Sequence, residues 1–235
     1  MVPRTAHKNT NAPGRDLAEA SAAARSPVHD QVYAAIRQGL VGGSFVPGRP
    51  ITLRGLAGLL GVSPMPVRAA VTRLVAERAL ALTPTRRISV PTMTTERFDE
   101  LIRARVLLEG EAAERALPFI DAERLAAIRA HDARLEACLA ADDAQGYMTA
   151  NHAFHFAIYR AAPSTVLVPL IETLWLQFGP FMRLVYEQLD MSHIVDQHER
   201  AIRAIEARDA VRLRAAIEAD IGDGMSIIGK AALEG

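Results

Sequence analysis

Val28, Val32, Ile36 and Leu40 recur every four residues, which lays one apolar face along a helix. Gly42 and Gly43 end that pattern, and Phe45-Val46-Pro47-Gly48 reads as a turn. Thr52 is placed to cap a second helix with an apolar stripe of Leu53, Leu56, Ala57 and Leu60, and Gly61 suits the left-handed position after its last turn. Ser63 is placed to cap a third helix. Pro64 takes its first position, where a missing N–H costs nothing, and Pro66 still falls in the first turn. Val67, Ala70, Val71 and Leu74 form the inward face of this helix, which turns Met65, Arg68, Ala69 and Thr72 outward.

The period then changes. Leu80 and Leu82 alternate with Ala81, and Ile88 and Val90 alternate with Ser89, so two short strands flank a basic tip at Thr83–Arg87. Helix, helix, tight turn, helix, hairpin is the order of a winged helix-turn-helix. From Thr94 the helical period holds, over spans near 94–117, 121–140, 142–162, 164–188, 194–207 and 209–231. Pro118, Asp142-Asp143, Ala162-Pro163-Ser164 and Arg208-Asp209 break it, and Pro169 and Pro180 are expected to bend or divide the fourth span. The expected fold is mainly α: an N-terminal winged helix-turn-helix at 27–92, then an all-α antiparallel bundle at 93–235. Residues 1–26, rich in Ala, Asn, Pro and Ser, read as a disordered leader without the apolar stretch of a signal peptide.

Charge sharpens this division. The chain carries 27 basic and 27 acidic residues, net zero. Yet Gln31–Thr92 holds eight arginines, no lysine and one acid, Glu77, for a net charge of +7, whereas Met93–Gly235 is net −8. Such asymmetry points to a polyanion as the partner of the first part, and arginine suits bidentate contact with phosphate and guanine. Half of the residues are hydrophobic, enough for a sizeable core, but no apolar run is long enough to span a membrane. The single cysteine, Cys138, excludes an internal disulfide framework, and a cytoplasmic location is expected.

The first turn of a recognition helix carries contacts to bases and phosphates, which places Ser63 and Arg68 at double-stranded DNA. Backbone N–H groups at that terminus add an anion site. Arg54 begins the helix that crosses the DNA backbone, and Arg86 and Arg87 at the hairpin tip reach a minor groove or phosphates. The stretch Val46-Pro47-Gly48, Leu56-Ala57, Leu60-Gly61-Val62-Ser63, Pro66-Val67-Arg68 and Leu74 resembles the N-terminal domain of the GntR family of bacterial regulators, over about residues 28–92. The resemblance implies operator contacts at Arg54, Ser63, Pro64, Met65 and Arg68, with Arg86 and Arg87 on the wing. This chain departs from the family's pattern at Pro64, Met65, Ala69 and Arg87, where Arg, Thr, Glu and Gly are usual, so specificity is expected to lean on Arg54, Arg68 and the wing.

In the second domain, Asn151 and His155 stand at i and i+4 on one helix face, and His198 and Asp220 follow on two later helices. Bundled helices bring such groups to one cavity, where they form either a metal site or a hydrogen-bonded polar cluster. Residues 94–230 resemble the FadR-type ligand-binding domain called FCD, through Arg105 with Glu109, Asn151 with Phe154-His155, His198, Ala204-Ile205, Asp209 and Asp220. That resemblance implies a divalent transition metal (Zn, Ni or Mn) on Asn151, His155, His198 and Asp220, with Asp220 standing where a histidine is usual. It also implies that Arg105 turns inward to meet an organic acid, with Arg183 as a second cation. The alternative for Arg105 is an intrahelical pair with Glu109.

These readings converge on a homodimeric regulator, by default a repressor, on a pseudo-palindromic operator, with a small carboxylate effector in the bundle shifting its two winged domains. One alternative is a regulator for which the metal itself is the signal. Another is a metal-dependent helical enzyme, but the chain has no H-E-x-x-H motif, no Ser/His/Asp set and no nucleotide-binding loop, so no enzymatic activity is expected.

Overall fold

A computed structural model of the chain describes residues 27–47, 49–83, 87–188 and 197–224. The N-terminal part comprises α1 (Pro27–Val41), α2 (Leu53–Leu60), α3 (Pro64–Ala76), β1 (Ala81–Leu82) and β2 (Ile88–Ser89). Val32, Ile36 and Leu40 of α1 are buried as their spacing predicts, whereas Val28, at the open end of the helix, is 45% exposed. The Thr52 hydroxyl accepts from the Gly55 amide, and Gly61 takes the left-handed conformation (φ 65°) that closes α2. β1 and β2 pair antiparallel with Ala81 opposite Ser89 and Leu82 opposite Ile88, and Ile51 exchanges two backbone hydrogen bonds with Ile88. The segment after the turn thus joins the wing to α1, α2 and α3. The expected leader and the hairpin tip with Arg86 lie outside the described residues.

The C-terminal part is a helical bundle of α4 (Thr95–Ala116), α5 (Ala122–Ala140), α6 (Ala144–Tyr159), α7 (Leu167–Gln188), α8 (Gln197–Glu206) and α9 (Ala210–Ala219). Thr94, Asp121, Asp143 and Asp209 cap α4, α5, α6 and α9, each accepting a backbone N–H of the first turn. Pro169 lies in the first turn of α7, where a missing N–H is tolerated, and Pro180 does not divide the helix. α9 keeps α-helical geometry to Ala219, and the part of its expected span beyond Gly224 lies outside the described residues. At Asp220 it gives way to a π-helical turn, Asp220–Gly224, and such turns recur at functional sites.

The two parts meet along α7. Leu176, 1% exposed, belongs to the hydrophobic core of the N-terminal part, among residues such as Ile36, Leu40, Val71 and Leu74. Gly179 is required by this close approach, because a Cβ there would lie 2.8 Å from the Leu40 carbonyl oxygen. Arg37 on α1 pairs with Glu172 on α7 at 2.9 Å. Arg97 donates both to the Arg78 carbonyl and to Gln177. No helix among the described residues is long and apolar enough to cross a membrane.

Candidate functional site

The N-terminal part exposes side chains expected at DNA. Arg54 on α2, Ser63, Pro64, Met65 and Arg68 at the start of α3, and Arg87 beside the hairpin are all exposed, while Val67, Ala70, Val71 and Leu74 on the opposite face of α3 are buried. Met65 is 72% exposed, an apolar side chain held out at the leading edge of α3. Ser63 occupies the cap position without a side-chain cap bond. With Pro at both 64 and 66, Met65 supplies the one backbone N–H of the first three helical positions. This terminus therefore offers fewer anion-binding donors than an ordinary helix start. The guanidinium of Arg73 is turned away, 3.7 Å over the Tyr33 ring and bonded to Glu77. The Tyr33 hydroxyl lies 2.7 and 2.8 Å from the two oxygens of Glu77 and donates its one proton to that carboxylate. Burial, then the hydrogen bond to Glu77, push the Tyr33 hydroxyl up to about 12.

In the bundle, α6, α8 and the turn after α9 bring His155, His198 and Asp220 together, with one ligating atom of each within 4.8 Å of the others. Nε2 of His155 lies 3.3 Å from Oδ2 of Asp220, and Nε2 of His198 lies 3.8 Å from Oδ1. Atoms bound ~2.1 Å from one ion are roughly 3–4 Å apart, so this spacing suits a shared cation. Asn151 stands one turn before His155 on the same face of α6 and is half-buried. Burial alone would raise the Asp220 carboxyl, but the imidazoles of His155 and His198 and the Arg105 guanidinium outweigh it and hold the group below the usual carboxylate range.

The partners of the two imidazoles fix what they offer. Nδ1 of His198 lies 3.0 Å from Oδ1 of Asp132 on α5. A carboxylate accepts only, so Nδ1 carries a proton, and in the neutral ring the lone pair sits on Nε2. His155 is fully buried, with Nδ1 3.0 Å from the Tyr159 hydroxyl, and its Nε2 has no hydrogen-bond partner despite the nearby carboxylate. A buried ring nitrogen aimed at a carboxylate without a well-formed hydrogen bond is costly, and either a proton on Nε2 or a bound cation relieves that cost. The residues present therefore fit a divalent ion. Nitrogen from two imidazoles with a hard carboxylate oxygen suits Zn, Ni or Mn alike.

Arg105 is 3% exposed and forms the intrahelical pair, its Nε 2.6 Å from Oε1 of Glu109. Its guanidinium lies over the rings of Trp175 (4.5 Å) and Phe178 (4.7 Å). Arg183 packs its stem against Gly43, where α7 meets the end of α1. Asp132, Tyr159 and Trp175 support the imidazoles and Glu109 without being marked in the sequence: Tyr159 lies one turn from His155, but the other contacts span 50 residues or more.

Known proteins share both halves. The family model described as the FCD domain matches residues 100–223, and that of the bacterial regulatory proteins of the gntR family matches residues 28–90. The HTH-type transcriptional regulator McbR of Escherichia coli strain K12 is 29% identical over 170 residues, 71% of this chain and 77% of that protein. An uncharacterised HTH-type transcriptional regulator of Agrobacterium vitis is 29% identical over 166 residues, 69% of this chain and 96% of that one. The solved structure of E. coli McbR/YncC matches with a TM-score of 0.81 at 26% identity, covering 88% of this chain and 99% of that chain. A GntR regulator from Rhodococcus sp. RHA1, at 22% identity with the same coverage of each chain and a TM-score of 0.71, has the same fold. These relatives and families are transcriptional regulators, which sets the enzyme alternative aside. The chain belongs to the gntR family of bacterial regulatory proteins, as a DNA-binding transcriptional regulator with an FCD domain.

Proposed function

We propose that this regulator is a homodimeric repressor whose operator affinity is set by a small organic acid, bound together with a divalent transition metal at Asn151, His155, His198 and Asp220. The reading is carried by one observation: the buried Nε2 of His155 makes no well-formed hydrogen bond and faces the Asp220 carboxylate across 3.3 Å. A bound Zn, Ni or Mn ion supplies a Lewis-acidic seat for a ligand carboxylate. Because Arg105 is committed to Glu109, the acid in this reading meets the metal first, and Arg183 at the domain junction is the second cation to test. DNA is held by Arg54, Arg68 and the wing arginines Arg86 and Arg87 around Ser63, Pro64 and Met65. Two-fold symmetry matches a pair of half-sites.

The coupling between the sites rests on α7. Trp175 reaches Glu109, and its neighbour Leu176 enters the core of the DNA-binding half. An effector works only through a difference in its affinity for the DNA-competent and DNA-incompetent arrangements. The test has three parts: metal analysis of full-length protein purified without chelator, selection of a binding site from a random duplex pool, and titration of that duplex with metal alone and with metal plus a panel of organic acids. Bound metal, and an acid that changes operator affinity at least fivefold, are expected. Response to metal alone would identify the ion as the signal, and a chain that takes up no metal and ignores every acid would end the reading.

A further inference from the structure

Glu109 is a fully buried carboxylate that gathers donors from three helices. Arg105 on its own helix donates from Nε at 2.6 Å, the Tyr159 hydroxyl of α6 at 2.9 Å and the Trp175 indole of α7 at 3.0 Å. Tyr159 and Trp175 share one oxygen, Oε2. A hydroxyl has one proton, and Tyr159 commits it to Glu109, which leaves the phenol oxygen able only to accept. The atom facing that oxygen is Nδ1 of His155, at 3.0 Å. Nδ1 must then be the protonated nitrogen of the neutral ring, so the lone pair lies on Nε2, the buried atom that faces Asp220. The direction of each hydrogen bond follows from the one before it, and the series begins at a carboxylate that cannot donate.

A neutral imidazole otherwise divides between two tautomers, and only an unprotonated nitrogen ligates a metal. We propose that Glu109 is a positioning residue for the metal centre: acting through Tyr159, it fixes His155 as the tautomer whose Nε2 receives the ion. The proposal rests on the metal reading given above. It assigns to Glu109 a role beyond neutralising Arg105, since a carboxylate needed only for charge balance would be indifferent to Tyr159.

The test compares wild type, Tyr159→Phe and Glu109→Gln in the full chain. The His155 tautomer is read by nitrogen NMR in the metal-free protein, and Zn2+ affinity by calorimetry. Wild type is expected to carry the proton on Nδ1. Tyr159→Phe keeps the ring volume and removes the relay, so it should lose that preference and bind Zn2+ about 10–100-fold more weakly, the range usual for outer-shell partners. In Glu109→Gln the amide oxygen goes to Arg105, which only donates. Its NH2 then faces both Tyr159 and the Trp175 indole, neither of which keeps its acceptor there, so the hydroxyl proton is no longer committed to residue 109 and the Nδ1 preference of His155 should be lost. Should Glu109→Gln fail to fold with Arg105 uncompensated, Tyr159→Phe decides alone. A folded Tyr159→Phe with wild-type tautomer and wild-type Zn2+ affinity would overturn the role of Glu109 while leaving the metal reading intact. No Zn2+ uptake by wild type would overturn both.

Discussion

Asp132 accepts the Nδ1 proton of His198 at 3.0 Å, across two helices that are far apart in sequence. The bond orients the ring and raises the basicity of the nitrogen turned toward Asp220. Asp132→Asn is expected to weaken Zn2+ binding by about 10–100-fold, as outer-shell replacements do, with the helical content unchanged. Calorimetric titration alongside circular dichroism checks this. An unaltered affinity would show that His198 needs no such support.

Asp220 supplies the charge of the site. With the ion at 100 times its dissociation constant, binding adds about 2.7 kcal/mol to the native state. For a chain of this size that corresponds to a rise in Tm of roughly 5–10 °C. The rise should vanish with chelator and should be absent in Asp220→Asn, a comparison that differential scanning fluorimetry makes directly. The same rise in Asp220→Asn would remove this carboxylate from the ligand set.

At high pH Tyr33, with Tyr147 and Tyr159, is one of several tyrosines whose hydroxyls burial holds protonated. Its hydroxyl, buried and bonded to Glu77, is pushed up to about 12. Folding stability that depends on the protonated phenol is therefore complete below the unfolded value of about 10 and is lost as pH rises from about 10 through 12, because the unfolded chain ionises first. Tyr33→Phe should cost about 1 kcal/mol near neutrality through the lost hydrogen bond, and should make the alkaline loss shallower, the remainder belonging to Tyr147 and Tyr159. Urea unfolding at a series of pH values measures both effects, and an equally steep alkaline decline in Tyr33→Phe would assign it to another group.

On the DNA side, Arg68→Ala is expected to weaken operator binding by about 1–3 kcal/mol. If Arg68 reads a base the loss is confined to one position of the site, and if it holds a phosphate the loss is uniform and the salt dependence becomes shallower. Met65→Ala should act differently, removing an apolar contact of the kind that favours a thymine methyl and leaving the salt dependence as it was. Binding isotherms at several salt concentrations on the selected duplex and its single-base variants separate these outcomes. A wild-type isotherm for Arg68→Ala would remove it from the interface.

The helices were legible because their causes are local. Val32, Ile36 and Leu40 share a face by spacing, Thr52 and Gly61 bracket α2 by side-chain chemistry, and Val67, Ala70, Val71 and Leu74 divide α3 into an inner and an outer face. The meeting of His155, His198 and Asp220 was legible through resemblance, since spacing alone favoured a hydrogen-bonded polar cluster. Their supports were not legible. Tyr159 lies one turn from His155, but its role depends on Glu109, 50 residues earlier, and Asp132 reaches His198 across 66 residues. The end of α9 also escaped, because its periodicity continues past Asp220 while the backbone changes to a π-helical turn.

Leu176 gives the division of the chain a different meaning. The sequence places a boundary between residues 92 and 93, but this leucine of α7 is buried in the core on the other side of it. An excised DNA-binding segment would therefore carry a hole where Leu176 sits, and a leucine side chain removed from a core costs about 2–5 kcal/mol. The reading head is thus an incomplete globule that borrows its last core residue from the sensor. Exchanging sensor domains between relatives by cutting at the wing would fail unless α7 travels with the head it completes.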